Sequence, residues 1–305
     1  MRNEVTAKLA FLRASQAFDG VLEVVETHMS WVFLTERHAF KLKKPVHLPF
    51  VDYRTLERRK QSCEHELRLG RRLAANVYDG VVPLVVTRSG LAIGGAGEVV
   101  DWLVVMRRLA RASMLPQMLA HGEATGDHAD AVGDLLARFY GASPATAWDA
   151  AEYRRRLCAQ VTSTGEELVN RGAARARVDE IVRYELVGME QEAHALDARI
   201  AGRYVIDAHG DLRPEHVCLE SPPVVIDPLE FDADLRTLDT ASELAFFALE
   251  CERLGASWFA GRVLARYAAV SGDPMPLALR DLYRAQHALT RALIALRHVE
   301  DVAES

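Results

Sequence analysis

The stretch "HGDLRPEH", residues 209–216, places two histidines, an aspartate and an arginine within eight positions. A segment that merely packs has no use for that mixture. The residues before it, "RYVID", read as an apolar strand that breaks at Gly210, and "HVCLE" and "VVIDP" read as short strands about a turn at "SPP". Asp211 then begins a loop and Asp227 ends a strand, sixteen residues further on. Two carboxylates presented from adjoining strand ends suit a magnesium–nucleotide site. One holds metal, and the other orients and deprotonates an incoming hydroxyl. Other chemistries lack their residues: the chain has no G-x-S-x-G elbow, no H-E-x-x-H and no Walker lysine loop.

The elements that must position these residues are legible in outline. The chain has 305 residues, 50% hydrophobic and 26% charged, enough for one large or two smaller globular domains. The first 109 residues read as a sheet with one inserted helix. "VLEVVETHMSWVFLTERHAFKLKK" carries β-rich runs turning at "TERH", "YRTLERRKQSCEHELRLGRRLAANV" has helical spacing, and strands resume from "GVVPLVV" to "WLVVMRRL". Residues 110–305 read as helical, including two long segments between Trp148 and Ile200, apart from the β island around residues 204–231; helix resumes at Thr237. The start, "MRNEVTAKLAFLRAS", reads as a short amphipathic helix and not as a signal segment.

Charge and composition exclude some partners. The net charge of −6 disfavours non-specific binding to nucleic acid or an anionic membrane, although residues 37–72 hold eleven Lys/Arg against four acids. That basic stretch is poor in interleaved aromatics, so a nucleic-acid groove is not expected. No apolar run is long enough to span a membrane, and the four dispersed cysteines read as free thiols. A cytoplasmic protein is expected.

"HGDL" followed by "VVIDPLEF" resembles the catalytic and metal-binding loops of protein-kinase-like enzymes, and in detail is similar to the aminoglycoside phosphotransferase family. "ETHMSWVFLTERHAFKLKKPV", "CEHELRLGRRL" and "LRTLDTASELAFF" resemble an uncharacterised bacterial subgroup of that family, sometimes fused to a P-loop ATPase domain. The resemblance implies an α+β, two-lobed kinase-like fold: a β-rich N-lobe over residues 1–109 and a mainly helical C-lobe over residues 110–305. It implies transfer of the γ-phosphate of ATP (or GTP), with Mg, to a hydroxyl of a small molecule, and an ATPase-domain protein as a partner. Asp211 matches the catalytic aspartate and Asp227 the metal-binding one. His209 is read as a structural member of the catalytic loop, and Arg213 as either neutralising the transferring phosphate or solvated.

His216 departs from the pattern, because the family carries asparagine there as a magnesium ligand, and magnesium prefers oxygen to imidazole nitrogen. It binds the metal directly or through water, contacts phosphate, or marks lost activity. Glu230 and Asp232 support the metal or are loop acids; Arg236 and Asp239 hold the loop to the next helix.

On the nucleotide side the resemblance asks for a strand lysine with a helix glutamate. Lys41 is preferred over Lys43, which lies two residues on and on the same strand face, and Glu66 is preferred over Glu64. The loop "ETHMS" has no glycine, so phosphate would meet backbone N–H groups with His28 or Ser30. Met106 and Arg107 fall where the adenine-contacting hinge belongs. Acids at 149–152 and 166–167 could line a pocket for a cationic acceptor, or simply serve as helix-start and surface residues. Two other readings stay open: a pseudokinase-like nucleotide- or partner-binding module, and a nucleotidyltransferase on the same fold.

Overall fold

Alternating side chains set the first part of the structure, a computed structural model that describes residues 2–14, 20, 23–48, 50–146 and 148–303. Helix α1 (Arg2–Arg13) is followed by strands β1 (Glu23–Glu26), β2 (Ser30–Leu34) and β3 (His38–Lys43). The short pair β4 (His47–Leu48) and β5 (Val51–Asp52) precedes helix α2 (Leu56–Ala74). Strands β6 (Tyr78–Thr87), β7 (Gly90–Ile93) and β8 (Glu98–Arg107) complete an antiparallel six-stranded sheet in the order β1-β2-β3-β8-β6-β7.

One face of this sheet buries Trp31, Phe33, Leu42, Leu84 and Leu103 with Leu12 of α1. The other buries Ala39, Val104 and Met106 with Cys63 and Ala74 of α2. Because strand side chains alternate, Ala39, Lys41 and Lys43 share the α2 side, whereas Leu42 belongs to the opposite face. Thr55 caps α2, its hydroxyl accepting the Arg58 N–H, and the buried stripe of the helix contains Arg59 and Glu66 among its small and apolar residues. Arg59 is accounted for by Asp101, 2.7 Å from its Nε.

The chain continues through α3 (Leu115–Ala120), α4 (Gly126–Ala142), α5 (Ala150–Asn170), α6 (Arg175–Gln191) and α7 (Ala193–Ala201) to strand β9 (Val205–Asp207). Strands β10 (Val217–Cys218) and β11 (Val224–Val225) form a small hairpin. After α8 (Ala233–Arg236) come strand β12 (Thr237–Asp239) and helices α9 (Thr240–Arg253), α10 (Ser257–Ser271) and α11 (Leu277–Ala303). Two details depart from the sequence expectation. The second long helical segment before Ile200 is two helices, interrupted at Glu192. Helix does not resume at Thr237, since residues 237–239 pair with β9 and Asp239 caps α9 by accepting the Ala241 N–H.

The chain divides into two compact units, Met1–Gln117 with His216–Asp234, and Met118–Glu215 with Leu235–Ser305. The sequence pattern predicts a single boundary near Leu109. In the structure His216–Asp234 belongs to the first unit, because Cys218 and Val224 of the hairpin enter the core beneath α2. The second unit is mainly helical. Its interior includes Arg199, whose guanidinium meets Asp239 (2.6 Å) and also pairs with Asp273. Tyr267 donates to Asp273 and Tyr283 to Asp239, both at 2.9 Å. Among the described residues no helix is long and apolar enough to cross a membrane.

Candidate functional site

In the first unit both β3 lysines meet Glu66. Lys41 Nζ lies 2.8 Å from Glu66 Oε1 and 2.5 Å from Asp227 Oδ1. Lys43 Nζ pairs with Glu66 Oε2 and with Glu230 Oε1. Tyr53 Oη donates to the same Glu230 oxygen at 2.8 Å, and Ser62 Oγ lies 3.2 Å from it. The sequence alternatives Lys41 and Lys43 are therefore parts of one network, and Glu66, not Glu64, is the α2 acid within it. Glu64 stands on the outer face of α2 near Lys60.

Exposure separates the two ends of this network. The side chains of Lys43 and Glu66 are 1% exposed, whereas that of Asp227 is 44% exposed. Burial disfavours both charged lysines, yet the carboxylates of Glu230 and Glu66 around Lys43, and of Asp227 and Glu66 around Lys41, hold both well above their ordinary range. Partial burial likewise opposes ionisation of Asp227. Lys41 and then His216 outweigh it and hold the carboxyl well below the usual aspartate range. Glu230 is lowered in the same way, against burial, by Lys43 and Lys41.

The β10–β11 hairpin explains why Asp227 and His216 are neighbours. Its register pairs Val217 with Val225, and the Ile226 N–H donates to the His216 carbonyl at 2.9 Å. The buried His216 Nε2 consequently lies 3.7 Å from Asp227 Oδ2. Asp227 has a φ of +61°, in the left-handed region that aspartate tolerates better than most residues and that clusters at functional sites.

The other nucleotide-side expectations fall as follows. Ser30 is buried and its N–H is committed to Thr27 Oγ1 at 3.0 Å, while His28 is exposed in the glycine-free turn. Met106 is buried in the core beneath α2. Arg107 donates its backbone N–H to the Val77 carbonyl at 2.8 Å and pairs through its guanidinium with Glu220 at 2.5 Å.

In the second unit the loop after β9 presents Asp211. Gly210 takes a φ of +86°, which suits glycine, and lets the chain turn sharply after the strand. His209 is buried, and its Nδ1 accepts the Asp211 N–H at 3.3 Å. The buried carboxylate of Glu243 accepts the backbone N–H groups of His209 (3.2 Å) and Gly210 (2.6 Å), and Tyr140 donates to it at 2.7 Å. Arg213 Nη2 is 2.9 Å from Asp211 Oδ2, and the Asp211 side chain is 33% exposed. Arg236 joins the loop to the following strand, through Asp207 at 2.8 Å and by accepting the Ala208 N–H.

Sequence reasoning passed over Glu243, although an acid inside the apolar run "SELAFF" is a signal of a buried partner. It also passed over Tyr53 and Tyr78, which nothing in their local sequence marks. Two of the acids considered for a cationic acceptor, Glu167 and Asp149, are already employed. Glu167 pairs with Arg297 (2.6 Å) and Arg171 (2.9 Å), and Asp149 caps α5.

The fold is the protein-kinase-like one. The chain aligns over 99% of its length, and 87% of the other, with a choline/ethanolamine kinase family protein from Mesorhizobium loti (TM-score 0.56, 18% identity). It aligns over 96% of its length, and 92% of the other, with a thermostable mutant of aminoglycoside phosphotransferase APH(4)-Ia (TM-score 0.53, 12% identity). In sequence it is 34% identical over 290 residues to uncharacterized proteins of Mycobacterium tuberculosis and Mycobacterium bovis, covering 90% of this chain and 54% of theirs. The chain thus spans about half the length of these curated relatives. No protein-family profile matches it.

Proposed function

We propose that this protein is an ATP-dependent phosphotransferase that moves the γ-phosphate to a hydroxyl of a small molecule, with GTP as the alternative donor. The observation that carries the reading is the Lys41–Glu66–Asp227 arrangement in a kinase-like fold, with its partly exposed carboxylate on a left-handed residue. Lys41 would neutralise donor phosphates while Glu66 and Lys43 keep it in place. Asp227 fits magnesium, which typically takes one or two protein carboxylates, phosphate oxygens and water. Asp227 would hold such an ion, which would offset the charge of the phosphates. His216, beside Asp227, would meet the metal directly or through water, or contact phosphate, in place of the oxygen ligation that asparagine would give.

Asp211 is the base in this reading. It accepts the acceptor's hydroxyl proton as the oxygen bonds to the γ-phosphorus and the bond to the β-phosphate oxygen breaks, releasing ADP. His209 and Glu243 fix the loop backbone around Asp211, and Arg213 restrains its carboxylate. Adenine would meet the strand end at Met106 and Arg107, and His28 and Ser30 belong to the turn nearest the phosphates in this scheme. A cytoplasmic setting completes the proposal, as does a P-loop ATPase-domain protein partner, which the sequence resemblance supports.

The test is mass spectrometry of hydroxylated small molecules incubated with the protein and Mg-ATP, with Asp211→Asn as control. Addition of phosphate that disappears in Asp211→Asn is expected. Addition of AMP would make the protein a nucleotidyltransferase, and nucleotide binding without transfer to any acceptor would favour the pseudokinase reading.

A further inference from the structure

Tyr78 opens β6 and takes no part in the scheme above. Its side chain is 1% exposed, and its hydroxyl oxygen accepts the backbone N–H of Asp227 at 2.9 Å. That N–H belongs to the residue with a φ of +61°, a conformation that persists only where its surroundings impose it. Burial, and after it the negative charge of Glu66 and Asp227, pushes the phenol well above its ordinary range, so the ring stays neutral.

Three independent features put the ring where it can reach Asp227. Gly70 of α2 gives it room, because a Cβ there would stand 2.3 Å from ring atoms Cε2 and Cζ. Arg71, the next residue, donates from Nε to the Tyr78 carbonyl at 2.9 Å and from Nη2 to the Asp79 carbonyl at 2.6 Å. The pairing of β6 with β8 slips at this point, with Tyr78 opposite Met106 but Gly80 opposite Val105, so Asp79 is a bulged residue. Bulges beside functional sites re-aim the side chains next to them. Glu66 lies one turn before Gly70 on the buried face of α2, so a single helix supports Lys41 directly and Asp227 through Tyr78.

We propose that Tyr78 is a positioning residue that holds Asp227 in its left-handed conformation and so aims its carboxylate at a nucleotide-bound magnesium ion, with Gly70 and Arg71 of α2 fixing the ring. The inference rests on Asp227 being the metal-binding carboxylate. Removing the hydroxyl leaves the Asp227 N–H without its acceptor and frees residue 227 to relax, while Lys41, Glu66 and Lys43 keep their mutual contacts. Metal binding then weakens and metal-free nucleotide binding does not.

The experiment is a magnesium titration at fixed ATP, followed by melting temperature, on wild type, Tyr78→Phe, Gly70→Ala and Asp227→Ala. Each protein is referenced to its own ligand-free melting temperature, so a loss of stability alone does not register. Tyr78→Phe is expected to need about tenfold more magnesium for half-maximal stabilisation, the equivalent of one hydrogen bond. Its response to ATP in chelator should stay that of wild type, and Gly70→Ala should show the same selective loss. Hydrogen exchange at the Asp227 amide should quicken in Tyr78→Phe without nucleotide present. An unchanged magnesium requirement in Tyr78→Phe overturns the positioning role. So does an equal loss of the metal-free and metal-dependent responses, which would make Tyr78 a packing residue only. A wild type indifferent to magnesium, or an Asp227→Ala protein that keeps the response, overturns the reading of Asp227 and this inference with it.

Discussion

Two buried ion networks, one in each unit, are built from the same kinds of group and end differently. In the second unit Arg199 is enclosed by Asp239 and Asp273, with side-chain exposures of 2% and 0%, and tyrosine and threonine hydroxyls complete the shell. In the first unit Lys43, Glu66 and Glu230 are just as enclosed, but the network continues through Lys41 to Asp227, whose side chain is 44% exposed. A closed network ties α7 to the start of α9 and to the turn after α10. An open one ends on a carboxylate that solvent reaches, and in the proposed function an anionic ligand and its cation would take over its contacts. Burial of ion pairs is weak evidence of stabilisation in itself, because desolvation offsets the attraction. What distinguishes these two is whether a contact is left to be exchanged.

The comparison can be broken most directly at its closed end. Arg199→Met leaves Asp239 and Asp273 without their counter-charge, and a loss of about 3–5 kcal/mol of unfolding free energy is expected in urea denaturation. A loss below about 1 kcal/mol would show that the tyrosine hydroxyls alone suffice. Lys43→Met should cost less, about 2–3 kcal/mol, because Glu66 keeps Lys41 and Glu230 keeps Tyr53. Lys41→Met is expected to reverse the balance. Its cost in stability should be about 1 kcal/mol, since Asp227 is free to hydrate, while ATP affinity falls about tenfold or more. Equal losses of stability and affinity at positions 41 and 43 would erase the distinction between the inner and outer lysine.

A smaller effect separates both networks from a carboxyl that has neither kind of partner. Glu185 of α6 is fully buried, neither oxygen has a hydrogen-bond partner among the described residues, and burial pushes it up from 4.5 to about 8. A folded-state value above the unfolded one means that folding takes up a proton. Stability is therefore greatest below the unfolded value and declines as pH rises from about 4.5 through about 8. Glu185→Gln should change the melting temperature little in mild acid and raise it by a few degrees above pH 8. An equal shift at both pH values would point to packing instead of ionisation.

Much of the first unit was legible because its signals are local. "TERH" turns between β2 and β3, helical spacing marks α2, and the alternation of β3 puts Lys41 and Lys43 on one face. The loop at Gly210 was also readable, and so was the strand before Asp227, although it stops at Val225, two residues short of the acid. What escaped was whatever depends on contacts between distant segments. Tyr53 lies 177 residues from Glu230 and Tyr78 lies 149 from Asp227, so no spacing rule links them. The three-residue strand β12 was hidden for the same reason: its pairing with β9 comes from tertiary structure, not from its own pattern.

The most direct test of an exchangeable end at Asp227 is calorimetric titration of ATP, with magnesium and with chelator, into wild type and Asp227→Ala. Binding strengthened by magnesium in wild type, with that gain absent from a folded Asp227→Ala protein, is the expected result. ATP binding that is the same in both proteins with and without magnesium, or absent from wild type, would contradict it and leave the first-unit network as structural as that around Arg199.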